Sequence, residues 1–105
     1  MSRQPVSPDA KTAAREKLDA LRRLPRNEIA ILPRAADSEV FLEGKRYQLV
    51  AWHESLGSGE EWVVVQLYRP IGLGAVRRVH GEGFAVSAQG DRRALTAAEV
   101  DRFTW

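Results

Sequence analysis

Near the start of the chain, apolar residues recur at helical spacing. Ala10, Ala14, Leu18, Leu21 and Leu24 fall three or four apart and form one stripe, with Arg15, Glu16, Asp19, Arg22 and Arg23 mostly off it. Ser7-Pro8-Asp9 supplies a start signal: a hydroxyl at the N-cap, a proline at the first helical position and an acid at the positive end of the dipole. Asp19 and Arg23 make a favourable i,i+4 pair, and Arg22 and Arg23 stand where the negative end of the dipole attracts cations. Pro25 stops the pattern near Leu24. The pattern predicts an amphipathic helix, preceded by a loose lead-in over residues 1–6.

From Val40 onward the period changes. Val40-Phe41-Leu42 runs into Glu43-Gly44-Lys45, a turn with glycine where a positive φ is needed. Arg46 to Glu54 follows as a strand rich in aromatic and branched residues (Tyr47, Leu49, Val50, Trp52). After a turn at Gly57-Ser58-Gly59-Glu60 comes Trp62 to Tyr68, the strongest strand pattern in the chain, which Arg69-Pro70 is expected to end. Ile71 to Gly74 reads as a connection, Ala75 to His80 as a strand, Gly81-Glu82-Gly83 as a turn and Phe84 to Ala88 as a further short strand. Gln89 to Arg92 turns again. Thr96-Ala97-Ala98-Glu99 matches a capping box and predicts a short helix through about Phe103, with Val100 and Phe103 as its apolar contacts and Trp105 docking back on the body. Between helix and sheet, Asn27 to Leu32 suits a short edge strand or an ordered loop, and Arg34 to Ser38 reads as a connection.

This order predicts one α+β domain over residues 7–105. An N-terminal amphipathic helix packs on a mostly antiparallel meander sheet of four to six strands, and a short helix follows at the C-terminus. The Trp62 strand is apolar on both sides, with Trp62, Val64 and Tyr68 on one and Val63, Val65 and Leu67 on the other. A strand with one wet face alternates more cleanly. The expectation is a central strand with the helix over one face, the other being half-exposed or covered by a partner.

Composition narrows the class. The 105 residues are 44% apolar and 29% charged, an ordinary globular balance that supports a modest core. With no cysteine, a disulfide framework, a thiolate zinc site and a cysteine nucleophile are excluded. No apolar run approaches the roughly 18 residues of a membrane span. Met1-Ser2-Arg3-Gln4-Pro5 has no apolar stretch behind it, so a cytoplasmic location with no membrane partner is expected. Net charge is +2, but it is polarised: residues 1–26 carry a net +4 and the remainder a net −2. This asymmetry suits a solvated helix or an acidic partner.

Candidate chemistry is sparse. A metal site drawn from His53, His80 and Glu82 lacks any familiar ligand spacing, and His80 shares a face with Glu82 only if the strand continues through Gly81. Ser55 and Ser58 lie near His53 without a nucleophile elbow. Glu60 and Glu61 are expected to solvate a turn and discourage edge pairing. Gly72-Leu73-Gly74 lacks the third glycine of a dinucleotide loop, Arg77 standing there instead, and no helix is expected after it. The segment from Tyr68 to His80 is more informative. It holds Arg69, Arg77, Arg78 and His80 with no acid, beside sheet-borne aromatics of the kind that stack bases.

These features favour a small non-catalytic binding or accessory protein, with a protein partner or a second copy of the chain and with no metal or small-molecule cofactor. The alternative is a nucleic-acid binder, of RNA or single-stranded DNA, using Arg22, Arg23, Arg26, Tyr68, Arg69, Arg77, Arg78 and His80. A small metal-dependent hydrolase built on His53 or His80 is the least supported.

Overall fold

A computed structural model describes residues 8–104 of the chain. The expected N-cap at Ser7, the lead-in and the docking of Trp105 lie outside the described residues. The elements run α1 (Pro8–Arg22), α2 (Arg26–Ile29), β1 (Ala35–Leu42), β2 (Lys45–Ser55), β3 (Glu61–Gly72), β4 (Ala75–Val86), β5 (Arg92–Ala94) and α3 (Ala97–Val100). All five strands form one open antiparallel sheet in sequence order, an α+β fold.

Alternation along the strands separates the two faces. One face holds Tyr47, Leu49, Val63, Val65, Leu67, Phe84 and Val86, and the predicted stripe of α1 (Ala10, Ala14, Leu18, Leu21) is buried against them. The opposite face holds Trp62, Val64 and Ala85, covered by Val100 and Phe103 with Trp52, Leu56 and Leu95 alongside. The apolar second face of β3 is therefore closed by the chain's own C-terminal segment. The Thr96–Glu99 capping box forms as expected and starts the helix that does this.

Four local expectations are corrected. Asn27 to Leu32 is not a strand: its first half lies in α2, which follows Pro25 and buries Ile29, and Ala30 to Leu32 form a turn with Ile31 exposed. Arg34 to Ser38 is largely strand, because Ala35 to Ser38 pair with Trp52 to Leu49 despite weak intrinsic propensity. Pro70 does not end β3, and Gly81-Glu82-Gly83 does not turn. Both lie inside one long hairpin of two 12-residue strands. Gly83 is where another part of the chain comes close: a Cβ there would sit 2.7 Å from Val63 O and 2.8 Å from Leu95 Cδ1.

At about 3.3 Å per residue, strands of that length reach about 40 Å. They fit only along the 47 Å axis of a molecule measuring 25 × 23 Å across.

Candidate functional site

The arginines singled out in the sequence separate into two groups. Arg22, Arg23 and Arg26 gather where α1 ends. Arg22 pairs with Asp19 at 3.2 Å and lies over the Phe84 ring. Arg26 is half-buried and donates to Ser87 O at 3.1 Å and Gly59 O at 2.6 Å, clipping α2 to two turns of the sheet. Arg92, unnoticed in the sequence, donates to Arg22 O and to Leu24 O, satisfying carbonyls at the end of α1. Arg69, Arg77 and Arg78 lie at the far end. Arg77 is seven residues along β4 from Phe84, about 20 Å away. The two groups do not form one patch.

At that far end the two hairpin turns are level. The β2–β3 register pairs Gln48 with Tyr68, which brings the Glu43-Gly44 turn beside the Gly72–Gly74 turn. Arg69 stands directly opposite Arg77. Arg69 follows Leu67 by two residues on β3, and Lys45 precedes Tyr47 by two on β2, so Lys45, Arg69 and Arg77 share the α1 face. All three are exposed, and among the described residues none of their side chains enters an ion pair or hydrogen bond. On the other face the cations are engaged: Arg78 with Asp101, and Arg46 with Glu39 at 3.8 Å. A bulge between Leu67 and Tyr68, with Val79 as the extra residue on β4, sets Arg77 and Arg78 on their faces. Lys45 was missed because its alignment depends on a register between distant strands.

The same end carries exposed apolar side chains: Phe41 on the first hairpin, and Ile71, Leu73 and Val76 on the second. Leu73 is fully exposed and has φ +54°, between Gly72 at +97° and Gly74 at +77°.

The remaining candidates are structural. Tyr68 and Trp62 are buried, and Trp52 is half-buried, donating from Nε1 to Gln66 Oε1 at 2.8 Å. Among the described strands only Phe41, 66% exposed on the edge strand β1, presents an aromatic ring, and it lies on the face opposite Arg69 and Arg77. His53 is buried rather than partly exposed, with Nδ1 3.0 Å from Leu32 O and Nε2 3.1 Å from Glu61 Oε1. Both ring nitrogens thus face oxygens. Ser55 Oγ donates to that same Glu61 oxygen at 2.6 Å. A serine nucleophile needs the imidazole as its base, so this is a buried polar knot and not a triad. Glu61 is thus a core residue, contrary to the expected solvating role, while Glu60 accepts from Trp62 Nε1 and Arg93.

His80 shares a face with Glu82, as continuation of β4 through Gly81 requires, and lies 3.2 Å from it; β3 separates both from His53. Among the described residues, no three His, Cys, Asp or Glu side chains gather as a metal site. Arg15 also holds Glu82, at 2.8 Å, and its hydrogen bond is the main cause that keeps the Glu82 carboxyl below the usual carboxylate range. The Arg93 fork, with help from the Thr96 backbone N–H, lowers Glu99 to about 2. Glu60 is lowered as well, first by the Trp62 indole N–H and then by Arg93. No described helix is long and apolar enough to cross a membrane. No family model, curated protein or solved structure matches the chain.

Proposed function

We propose that the protein is a binding module that grips the phosphate backbone of duplex nucleic acid with the end of the β3–β4 hairpin. The observation carrying this reading is the cross-strand pair Arg69 and Arg77, with no carboxylate between them and with Lys45 on the same face two residues nearer the turns. Like charges directly opposite each other weaken a strand pair by roughly 0.2–1 kcal/mol. A phosphate between the two side chains removes that repulsion and takes up the guanidinium donors, which suit its geometry. A two-stranded ribbon also has the width to enter a duplex groove. Duplex is favoured over a single strand because the face that carries Lys45, Arg69 and Arg77 offers no ring to stack a separated base: Tyr68 is packed inside, and the exposed Phe41 lies on the other face. The cytoplasmic location expected from the sequence belongs to this proposal.

Fluorescence anisotropy with labelled duplex and single-stranded oligonucleotides, from about 50 to 200 mM salt, tests it. Three phosphate contacts give a log–log salt slope of about −3, and Arg69→Ala with Arg77→Ala is expected to reduce it by about 2. Arg22→Ala with Arg23→Ala is expected to leave the slope unchanged. Absence of duplex binding at the lowest salt overturns the reading.

A second reading, a protein partner or a second copy, is favoured by β1. This eight-residue edge strand pairs only with β2 and is largely exposed. Strand addition at that edge is the expected mode. A sedimentation profile that stays monomeric at high concentration and a pull-down without a specific partner would remove it.

A further inference from the structure

We propose that Leu73, with Ile71 beside it, is a wedge that enters a base-pair step of duplex DNA and bends it while Lys45, Arg69 and Arg77 hold the flanking phosphates. This rests on the nucleic-acid reading above and adds what the hairpin does to its ligand.

Leu73 is the starting point. A branched side chain at φ +54° occupies the left-handed region, which glycine or asparagine tolerates far better. It is also fully exposed, and Ile71 is 60% exposed. The choice of leucine there does not help the chain to fold: it strains the turn, and no apolar area is buried in return. The angle belongs to the turn, as the same φ at Glu43 in the first hairpin shows, but a leucine at a position that glycine or asparagine fills at lower cost, with its side chain in solvent, points to a task outside the chain.

The geometry narrows the task. Leu73 is at the apex of the molecule's longest hairpin, with Arg69 and Arg77 a few residues below it on paired strands. Apolar side chains on projecting elements enter a base step singly or in pairs, unstacking it and kinking the duplex, while cations beside them bind the backbones on either side. A bilayer is the other environment with phosphates over an apolar interior. Phe41 and Val76 lie on the face opposite Arg69 and Arg77, and the two aliphatic side chains left at the tip offer little surface for that role, since even a single acyl chain anchors only marginally. B-form DNA is favoured over duplex RNA because its flexible pyrimidine–purine steps open readily, whereas the major groove of RNA is deep and narrow.

The experiment uses the full chain and a duplex of about 25 base pairs with a central TA step, labelled at both ends for energy transfer, read beside anisotropy on the same duplex. Leu73→Asn is the diagnostic variant, because asparagine accepts the left-handed backbone and leaves the turn intact. The expected result is a rise in transfer efficiency with the natural protein and little or none with Leu73→Asn, whose affinity falls less than about tenfold. Arg69→Ala with Arg77→Ala weakens binding itself and lowers its salt slope. If the natural protein binds without changing the transfer, or Leu73→Asn bends the duplex equally, the wedge is overturned and the binding reading stands. If neither protein binds the duplex, both are overturned. Co-sedimentation with phosphatidylserine vesicles that depends on Leu73, without duplex binding, overturns the wedge in favour of a membrane surface.

Discussion

Gln66 is wholly buried in the middle of β3, and all four of its amide valences are used. Its oxygen accepts from Trp52 Nε1 at 2.8 Å and from the Tyr68 hydroxyl. Its nitrogen donates to Val100 O at 3.2 Å and Phe103 O at 2.8 Å. One side chain thus ties α3 and the residues after it to the sheet. Gln66→Leu keeps the volume and removes every bond. The Trp52 N–H and two carbonyls lose their partner, and the Tyr68 hydroxyl loses this acceptor. Each loss costs about 1 kcal/mol where water reaches the group and up to about 3 where it does not. Allowing about 1 kcal/mol back for the more apolar side chain leaves a destabilisation of about 3 kcal/mol. Against a total of roughly 5–15 kcal/mol for a domain, this is large. Urea unfolding followed by tryptophan fluorescence reads it as a midpoint shift of about 1–3 M. Amide exchange then separates a local effect from a global one, because Val100 and Phe103 amides should lose protection first. A shift below about 0.3 M, with those amides still protected, would refute the reasoning: the C-terminal segment would then be held by apolar contact alone.

Three further outcomes are expected. Glu99, Glu60 and Glu82 all titrate below the ordinary carboxylate range, so their contribution is present above about pH 4.5 and is lost as pH falls toward their folded values; Glu82→Gln should flatten this acid limb in thermal melts from pH 7 to 3, and an unchanged limb would show that the Arg15 contact contributes nothing. Gly83→Ala drives a Cβ against Val63 O and the Leu95 and Val64 side chains and should destabilise by about 1–3 kcal/mol, whereas Gly57→Ala, with open space around it, should be near neutral by the same chemical denaturation. Arg26→Ala removes two charge-assisted bonds to Ser87 O and Gly59 O and should cost about 1.5–3 kcal/mol while leaving any nucleic-acid affinity intact, so a fall in affinity without a fall in melting temperature would return Arg26 to the binding surface.

Several features were legible in the sequence because each depends on neighbours a few residues apart. The stripe of α1, the Thr96–Glu99 capping box and the hairpin turn at Glu43-Gly44 are set by helical spacing, a side chain bonding three residues away, and local backbone freedom. The strands were found, but where they end was not. Pro70 and the Gly81–Gly83 segment carry local signals for stopping, and tertiary pairing overrode them. Ladder bonds with β3 hold β4 extended through two glycines, and Gly83 is needed for the close approach of Leu95 and not for a turn. The same holds for Ala35 to Ser38, whose strand conformation comes from β2.

The candidate site divides in the same way. Alternation alone put Arg77 and Arg78 on opposite faces, and composition alone marked the stretch from Tyr68 to His80 as free of acids. Only the fold decided that Arg26 is a clip, that Tyr68 is core, that Arg78 is neutralised by Asp101 and that Lys45 joins Arg69 and Arg77. These outcomes depend on which residues come together across 23 to 61 positions of chain, and such meetings are set by register and twist rather than by any local preference.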